Sequence, residues 1–499
     1  MVVFAVVLLL LPVFKRAERA FADVAILVRY HGTRPVAAGS RAADAAPPAT
    51  APLRRARESG DRVAEADAGS AETTADEPAR EQPLISDELC LVGIDAPTLK
   101  RLGKYGTGDW LVRRPFLLFA RSLENTFRPS VVGFDILFEP VLGSESAPDE
   151  VLNFDDASLE RMIETLATIR EGSMGNASIT SLLDMSRFAA QMSEARLAAQ
   201  FASLMYPLGA ANRKPLPVVA AYVFRGREPA ADEETGREAP SRNRSADPVD
   251  SIVPYLADLA VPHEQIRNVP PDYVFHRRAE LPARTLRDYA SLAFINVPRD
   301  SDGIIRRLPL ILGFRYNDGN SEKTMFVPSL PLLCVLHHWE LTAEAVRVDF
   351  GHALTITRGD GSVRRIPIDE HGNLYLDFTG RLGDFASVSL YSLLVADAAE
   401  RASQTDRSAA AATAGSSLTA RVRRILDGRI ALVGVTAEGT TDIGPTPIDP
   451  YTPFVHVHLS AANSILTGRF LQPVGTAGRI GVFAGLFVLF SMICCGTHA

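Results

Sequence analysis

Two short apolar runs in the chain each end in an aspartate, Leu91–Asp95 and Val131–Asp135, and a segment with helical spacing follows each of them. A run without polar interruption is typical of a strand that is buried on both faces of a parallel sheet. The carboxyl ends of such strands are where open α/β sheets place their ligand sites. The pattern therefore predicts that Asp95 and Asp135 lie at the carboxyl edge of one sheet.

The remaining pattern alternates strands and helices along the chain. We predict strands at Glu88–Asp95, Ser130–Phe138, Pro217–Phe224, Phe294–Val297 and Arg429–Gly434. We predict helices from Asp95 to about Leu102 and at Arg114–Thr126, Asp156–Ile169, Asp184–Leu204, Leu286–Ala293, Leu330–Glu340 and His458–Thr467. Extended or hairpin segments are predicted at Ile304–Phe314, Thr324–Leu330, Leu354–Thr357, Ser362–Ile368 and Leu374–Phe378. This order predicts an α/β fold with a mostly parallel sheet, flanked by helices, and a β-rich excursion.

The two chain ends are apolar and predict membrane helices that bracket this fold. Met1–Phe14 is almost wholly apolar and Ile480–Cys495 carries no charge, although each is shorter than the roughly 20 residues of a spanning helix. We predict an N-terminal membrane segment at 1–22 and the start of a transmembrane helix at 478–499. A signal peptide is the alternative for the first segment, since Ala20–Ala22 resembles a cleavage site, but no basic stretch precedes the apolar run.

Three segments are poor in large apolar residues. Residues 36–84 cannot bury enough surface to offset the entropy of ordering, so we predict a disordered linker there. The segments near 226–248 and 403–419 have a similar composition, and we predict surface-loop insertions at both. The domain between the membrane segments is then 88–475.

Charge and cysteine content exclude several classes of function. The net charge of −7 and the pI of about 5.9 argue against a nucleic-acid partner, because phosphate binding needs clustered Lys and Arg. The four cysteines form neither a disulfide framework nor a zinc motif, and Cys90 and Cys334 fit buried free thiols. We therefore predict no metal, no cofactor and no nucleic acid.

The acidic residues that follow apolar strands are the main candidate site. Asp95, Asp135 and Asp442 could converge with Arg114 and Arg306 around a small charged ligand. Alternatively, Asp95 caps a helix and the other residues pin loops by charge-assisted hydrogen bonds. Paired acids could also hold Mg²⁺ or Ca²⁺, but the chain has no loop as dense in oxygen ligands as an EF-hand.

Histidine and glycine motifs add little chemistry to this picture. His456 and His458 would share one face of a strand and could chelate Zn²⁺, but no third ligand is identifiable, and a packed, satisfied imidazole is the simpler interpretation. His337 and His338 face different ways on a helix and indicate nothing. Gly434–Gly439 lacks the second glycine of a nucleophile elbow and the Lys-Ser/Thr pair of a phosphate loop, so a tight turn lining the ligand crevice explains it better.

Several blocks of the chain, in order, resemble the CHASE family of type two. They are Val92–Asp95 with Leu99 and Leu102–Gly103, Arg114, Val132–Phe138, Phe294–Asn296, Asp302–Gly303 with Arg306–Arg307, Gly372–Asn373, Asp377–Phe378, Ile430–Ala437, Asp442 with Thr446–Pro447, and His458 with Asn463 and Ile465–Leu466. The chain departs from the family pattern at Phe454, where a glycine is usual, and at Tyr105–Gly106, where the turn is tryptophan-rich.

The resemblance implies a sensory domain that lies outside the membrane of a bacterial adenylate cyclase, histidine kinase or serine/threonine kinase. It also places Asp302, Arg306 and Thr436 beside the acidic residues as candidate ligand-binding or structural positions. We expect a periplasmic domain on the inner membrane that receives a small molecule or an envelope signal. Receptors of this layout usually work as dimers, so a homodimer is one expected assembly.

Two other functions stay open besides the sensor. The first is an exported α/β hydrolase or transferase that uses Asp95 and Asp135, although no set of nucleophile and base supports it. The second is an assembly scaffold without a ligand. The chain contains no cyclase or kinase domain, so we expect either a receptor truncated before its output domain or a sensor that signals through a partner.

Overall fold

The fold was analysed in a computed structural model, which describes residues 84–102, 113–138, 195–205, 214–225, 247–248, 251–319, 321–405, 409–437, 442–472, 481 and 484–485. The predicted N-terminal membrane segment, the helix Asp156–Ile169 and nearly all of the 36–84 linker lie outside these residues. So do most of the 226–248 insertion and most of 478–499.

Strands and helices alternate as the sequence predicts. The strands are β1 (Leu89–Ile94), β2 (Val131–Asp135), β3 (Val218–Arg225), β4 (Asp247–Pro248), β5 (Ile266–Arg267), β6 (Arg278–Glu280), β7 (Ser291–Phe294), β8 (Arg307–Pro309), β9 (Ile311–Asn317), β10 (Glu322–Pro328), β11 (Val346–Asp349), β12 (Ala353–Thr357), β13 (Val363–Pro367), β14 (Asn373–Tyr375), β15 (Ala386–Ser389), β16 (Ile430–Val435), β17 (Ile443–Gly444) and β18 (Thr452–Pro453). The helices are α1 (Ala96–Leu102), α2 (Arg113–Asn125), α3 (195–205), α4 (Val253–Leu256), α5 (Arg284–Arg287), α6 (Leu330–His338), α7 (Leu390–Thr405), α8 (Ala409–Leu426) and α9 (Phe454–Thr467).

The main sheet is parallel across the six strands β15-β1-β16-β2-β3-β7, and β6 and β4 extend it in antiparallel fashion beyond the second half of β3. Gly93 of β1 pairs with Gly434 of β16, which pairs with Asp135 of β2. The carboxyl ends of these three strands are therefore level, as the sequence predicts.

Both faces of the sheet are buried, which explains why its strands are almost continuously apolar. Leu89 and Leu91 point into a core shared with α6 and α9. Cys90 and Val92 alternate with them and point into a second core shared with α2, α3, α7 and α8. The domain therefore has three layers, with the sheet between two layers of helices.

Glycines let α6 and α9 approach the sheet closely. A Cβ atom at Gly434 would lie 2.6 Å from Cβ of Val455 on α9, and one at Gly133 would lie 2.5 Å from Sγ of Cys334 on α6. Both distances are shorter than carbon and sulfur atoms tolerate. Gly434 thus sets the position of α9 over the carboxyl edge, and Gly133 sets that of α6.

The predicted β-rich excursion is present between β7 and β15. It contains the antiparallel pair β9-β10, the antiparallel strands β13-β12-β11 and the antiparallel pair β14-β8. The earlier strand β5, which precedes β7 in the chain, adds to the edge of this second group by pairing in parallel with β11.

Three local predictions are wrong. The helix predicted at Leu286–Ala293 ends at Arg287, and the strand predicted at Phe294–Val297 lies earlier, at Ser291–Phe294. This segment forms β7 because it pairs with β3, a contact between distant segments that local spacing does not reveal. The loop predicted at 403–419 is instead occupied by the end of α7 and much of α8. The alanines that suggested a loop are the strongest helix formers.

None of the helices in the described part of the chain has the length and apolar character that crossing a membrane requires. The bracketing of the fold by membrane helices stays a prediction.

Candidate functional site

Asp135 lies at the carboxyl edge of the sheet, as predicted, and is the last residue of β2. Its side chain is on the α9 side of the sheet, and Oδ1 lies 3.4 Å from Nε2 of His458. The residue is only 9% exposed. Burial raises the pKa of Asp135 to about 8, and the nearby charge of Asp442 acts in the same direction. At neutral pH this carboxyl group is therefore mostly protonated.

His458 is the partner of Asp135 and lies on the second turn of α9, fully buried. Burial lowers the pKa of His458 to about 3, against an opposing effect of the Ile295 backbone, so the imidazole is neutral over the physiological range. Within the described residues, neither ring nitrogen makes a hydrogen bond of ordinary geometry. A buried polar group without a full set of partners is unusual, and it marks this contact for a functional explanation.

Thr436 and Asp442 complete this edge. The backbone N–H of Thr436 donates to the carbonyl of Ile94 at 3.1 Å, so the chain after β16 folds over the end of β1. Burial raises the pKa of Asp442, and its carbonyl accepts a hydrogen bond from the N–H of Phe454, the first residue of α9. The loop that begins at Asp442 thus connects the carboxyl edge to the helix that carries His458.

Asp95 is the N-cap of α1, which confirms the structural alternative for this residue. Its Oδ1 accepts hydrogen bonds from the backbone N–H of Thr98 at 2.9 Å, from the Thr98 hydroxyl at 2.6 Å and from the hydroxyl of Ser389 at 2.9 Å. These bonds fix the start of α1 and join it to β15. Asp95 therefore supports the edge of the sheet, and a direct role in ligand binding stays a prediction.

Arg306 and Asp302 lie in a separate buried ionic cluster. Arg306 is 2% exposed and donates to Asp300 at 3.0 Å and to Asp302 at 2.9 Å. The neighbouring Arg307 pairs with Asp300 at 2.6 Å and with Asp369 at 3.1 Å. The cluster ties the segment after β7 to β8 and to the hairpin before β14, as expected of side chains that pin loops.

Of the predicted convergent set, the structure brings Asp135 and Asp442 together, whereas Asp95 and Arg306 each have partners close by in the sequence. Arg114 lies in the first turn of α2, and its side chain is outside the described part of the structure. Among the described residues no group of three or more His, Cys, Asp and Glu is arranged to hold a metal ion. That includes His456, whose Nε2 instead meets the carbonyl of Gly380 at 3.0 Å.

Asn463 is a further candidate, which the sequence indicated only through the family resemblance. It lies on α9, fully buried, and its Oδ1 accepts a hydrogen bond from the N–H of Ser86 at 2.8 Å. Its Nδ2 donates to the carbonyl of Leu84 at 2.9 Å and to the Thr379 hydroxyl at 3.1 Å. The amide thus holds the segment through which the chain enters the domain. A large polar amide between alanine and serine in a segment that predicts a helix is the local signal for such a role.

Comparison with known proteins gives one match. The family model for the CHASE2 domain matches residues 62–494 of the chain. No curated protein and no solved structure matches it.

Proposed function

The chain belongs to the CHASE2 domain family, and on this premise we propose that it is the signal-input domain of a bacterial transmembrane receptor. CHASE2 domains are extracytoplasmic sensory domains, so the main domain lies outside the cytoplasm. The output partner is a cyclase or a kinase, reached through membrane helices at the chain ends. The input is a small molecule or a state of the envelope.

The observation that carries the proposal is the course of α9. One end of this helix holds His458 against Asp135 at the carboxyl edge. Five residues later, about 7.5 Å along the axis, Asn463 holds the backbone of Leu84 and Ser86. A single rigid element therefore joins the candidate site to the segment that enters the domain.

The same helix also leads to the other connection. It ends at Gly468, whose φ of 71° gives the left-handed cap that stops a helix, and the chain then continues toward the second apolar segment. A small movement of α9 would therefore displace both the segment at Leu84–Ser86, through which the chain enters the domain, and the segment after Gly468, through which it leaves.

Signalling would follow from a shift between two positions of α9. A signal that favours one state of the Asp135–His458 contact changes the relative free energies of the two positions by the difference in its affinity for them. The incompletely hydrogen-bonded His458 suits this role, because it leaves the contact free to form or lose a hydrogen bond without breaking a complete network.

The test is hydrogen–deuterium exchange of the full chain, followed by mass spectrometry of the segment around Leu84–Ser86. We expect Asp135→Asn, whose amide has two N–H donors where the protonated carboxyl group has one O–H donor, to change the contact with His458 and speed exchange of the Ser86 amide, because α9 would hold Asn463 less firmly. The matched control is Asp397→Asn. Asp397 is also a buried aspartate, bound to Thr126 and Arg401, but it lies on the opposite face of the sheet.

Faster exchange at Ser86 in Asp135→Asn but not in Asp397→Asn would support coupling through α9. Equal exchange at Ser86 in both variants would contradict it, because general loosening of the domain predicts that result.

The location of the domain has its own test. Val363 is 61% exposed, so Val363→Cys presents a thiol for a membrane-impermeant maleimide, with the parent chain as background. Cys90 and Cys334 are fully buried, and burial raises the pKa of the Cys90 thiol to about 12 and that of Cys334 further, which keeps both unreactive. We expect added labelling in intact cells whose outer membrane is permeabilised. Labelling that requires lysis of the inner membrane would refute an extracytoplasmic position.

A further inference from the structure

A cavity of about 820 Å³ lies at the amino ends of β2 and β3, the edge of the sheet opposite to Asp135. This volume is in the range of sites for small ligands, roughly 300–1,000 Å³. Its walls come from the end of α2, the segments that lead into β2 and β3, the end of α3 and the end of α6.

The frame of the cavity is fixed by backbone hydrogen bonds. The N–H of Ser130 donates to the carbonyl of Arg429 at 2.8 Å, and the N–H of Val132 donates to the carbonyl of Pro217 at 3.0 Å. The N–H of Leu216 donates to the carbonyl of Leu204 at 2.8 Å, which ties the end of α3 to the segment before β3. The site is therefore formed before any ligand arrives, which limits the entropy lost on binding.

Two opposite charges line this cavity without pairing with each other. Glu124 lies in the last turn of α2 and Arg128 follows three residues after the end of that helix, near enough in the chain for an ion pair. Instead, Arg128 donates to the backbone carbonyl of Glu124 at 3.4 Å, and the Glu124 carboxylate accepts a hydrogen bond from the neutral amide of Gln200 at 2.6 Å. Within the described residues neither charge has an ionic partner.

The other polar groups of the wall already have partners. Lys214 pairs with Glu340 at 2.9 Å, and both side chains are largely exposed. His338 Nδ1 meets the Ser130 hydroxyl at 2.6 Å. Burial lowers the pKa of His337 to about 4, so that imidazole is neutral near pH 7. The apolar part of the wall is supplied by Leu123, Leu204 and Leu216.

We propose that this cavity binds a small zwitterion with an apolar side chain, an α-amino acid or a compound of the same charge pattern. Arg128 takes the carboxylate, Glu124 takes the ammonium group, and the three leucines receive the side chain. A ligand with a single charge would form an ion pair with only one of these two side chains, so it should bind more weakly than a zwitterion. The inference rests on the proposed sensory function for its physiological meaning, and it would make this cavity an input site.

The test compares three probes that share one alkyl chain: L-norleucine, hexanoate, which lacks the amine, and pentylamine, which lacks the carboxylate. Binding to the full chain is measured by isothermal titration calorimetry. We expect L-norleucine to bind at least tenfold more tightly than either analogue. Arg128→Gln should weaken L-norleucine at least fivefold and leave pentylamine unchanged, and Glu124→Gln should weaken L-norleucine and leave hexanoate unchanged.

Two further variants locate the site. Ser203→Trp places a large side chain in the cavity and should abolish binding of all three probes, and Pro215→Trp serves the same purpose if Ser203→Trp unfolds the domain. The matched control is Arg277→Gln, an exposed arginine paired with Glu322 in the β-rich excursion, which should bind as the parent does.

The inference is overturned if L-norleucine binds no more tightly than the singly charged analogues, or if both cavity-filling variants bind it normally. Neither result would affect coupling through α9, since exchange at Ser86 is measured without a ligand. The failure of this inference is therefore distinguishable from failure of the proposed function.

Discussion

Two polar clusters in this domain, one around Arg306 and one around His458, place ionisable groups in the interior in opposite ways. Around Arg306, charges are kept and neutralised by Asp300 and Asp302 through hydrogen bonds of 2.9–3.0 Å. Around His458, charge is avoided, because burial pushes both His458 and Asp135 toward their neutral forms. A satisfied ionic cluster has one stable arrangement, whereas a neutral contact with unused hydrogen-bonding capacity has alternatives. We therefore infer that the Arg306 cluster fixes the loops around it, whereas the Asp135–His458 contact changes its arrangement in response to a signal.

The loop that starts at Asp442 connects the two clusters. Arg299 donates to the carbonyl of Ile443 at 3.1 Å, and the N–H of Ile305 donates to the carbonyl of Pro445 at 2.8 Å. These bonds fasten the loop to the segment that carries Arg306, while its other end leads into α9. The anchored cluster thus gives α9 a fixed support against which to move.

The largest expected effect is loss of the anchor. Arg306→Met leaves the buried carboxylate of Asp300 and the more exposed carboxylate of Asp302 with fewer partners, and breaking a buried ion pair such as Arg306–Asp300 costs about 3–5 kcal/mol. Urea denaturation of the full chain measures the change. The control is Arg277→Met, an exposed arginine 2.6 Å from Glu322, for which a loss below about 1 kcal/mol is expected. If the two variants were equally stable, Arg306 would not be an anchor.

The Asp135–His458 contact predicts a distinctive dependence of stability on pH. Because the pKa of Asp135 is raised to about 8 in the native state, the native protein keeps a proton that the unfolded chain releases, and stability falls as pH rises from about 4 toward 8. Because the pKa of His458 is lowered from 6.5 to about 3, stability falls as pH drops below 6.5. The two effects oppose each other between pH 4 and 6.5.

Above pH 6.5 only Asp135 contributes, and the contact should lose about 2 kcal/mol of stability between pH 6.5 and 8, at roughly 1.4 kcal/mol for each pH unit. Asp135→Asn cannot ionise and should remove this part of the decline. The free energy of unfolding of both proteins, measured at a series of pH values, checks the prediction. Parallel profiles for variant and parent would show that Asp135 ionises normally.

The fold was predictable where its signals are local. Strands buried on both faces require apolar runs, and the cap at Asp95 requires a short side chain with a hydrogen-bond acceptor directly before a helix, so each was visible in a few adjacent residues. The failures at Ser291–Phe294 and 403–419 have different causes. The first segment is a strand because of its pairing with β3. At the second, polar composition hid the helix propensity of alanine.

The candidate site was harder to predict, because its geometry depends on contacts between distant elements. The sequence placed Asp135 at the right edge and suggested that it could converge there with other acidic residues and arginines, whereas the structure puts His458 beside it. That contact follows from Gly434, which lets α9 approach the sheet. His338 indicated nothing in the sequence, yet it lines the cavity with Ser130, a residue more than 200 positions away. No local pattern encodes either contact.

A smaller effect is expected at Asp95, which is only partly buried but fully engaged in hydrogen bonds. Asp95→Ala removes the acceptor for Thr98 and Ser389, and loss of such an N-cap costs about 1 kcal/mol. Asp95→Asn keeps a side-chain oxygen at the cap and should recover most of that stability. Thermal unfolding of the two variants tests this. A loss from Asp95→Asn as large as that from Asp95→Ala would mean that the charge, and not the cap, is what the site requires.

The smallest effect tests how the two clusters communicate through the connecting loop. The negative charge of Asp442 helps to raise the pKa of Asp135, after burial, which is the larger cause. Asp442→Asn removes that charge and keeps the shape of the side chain, so the native pKa of Asp135 should fall. The decline in stability assigned to Asp135 should then end at a lower pH. The same pH series as for Asp135→Asn measures the shift. An unchanged midpoint would mean that solvent screens Asp442 from Asp135, and that the loop transmits position to α9 but not charge.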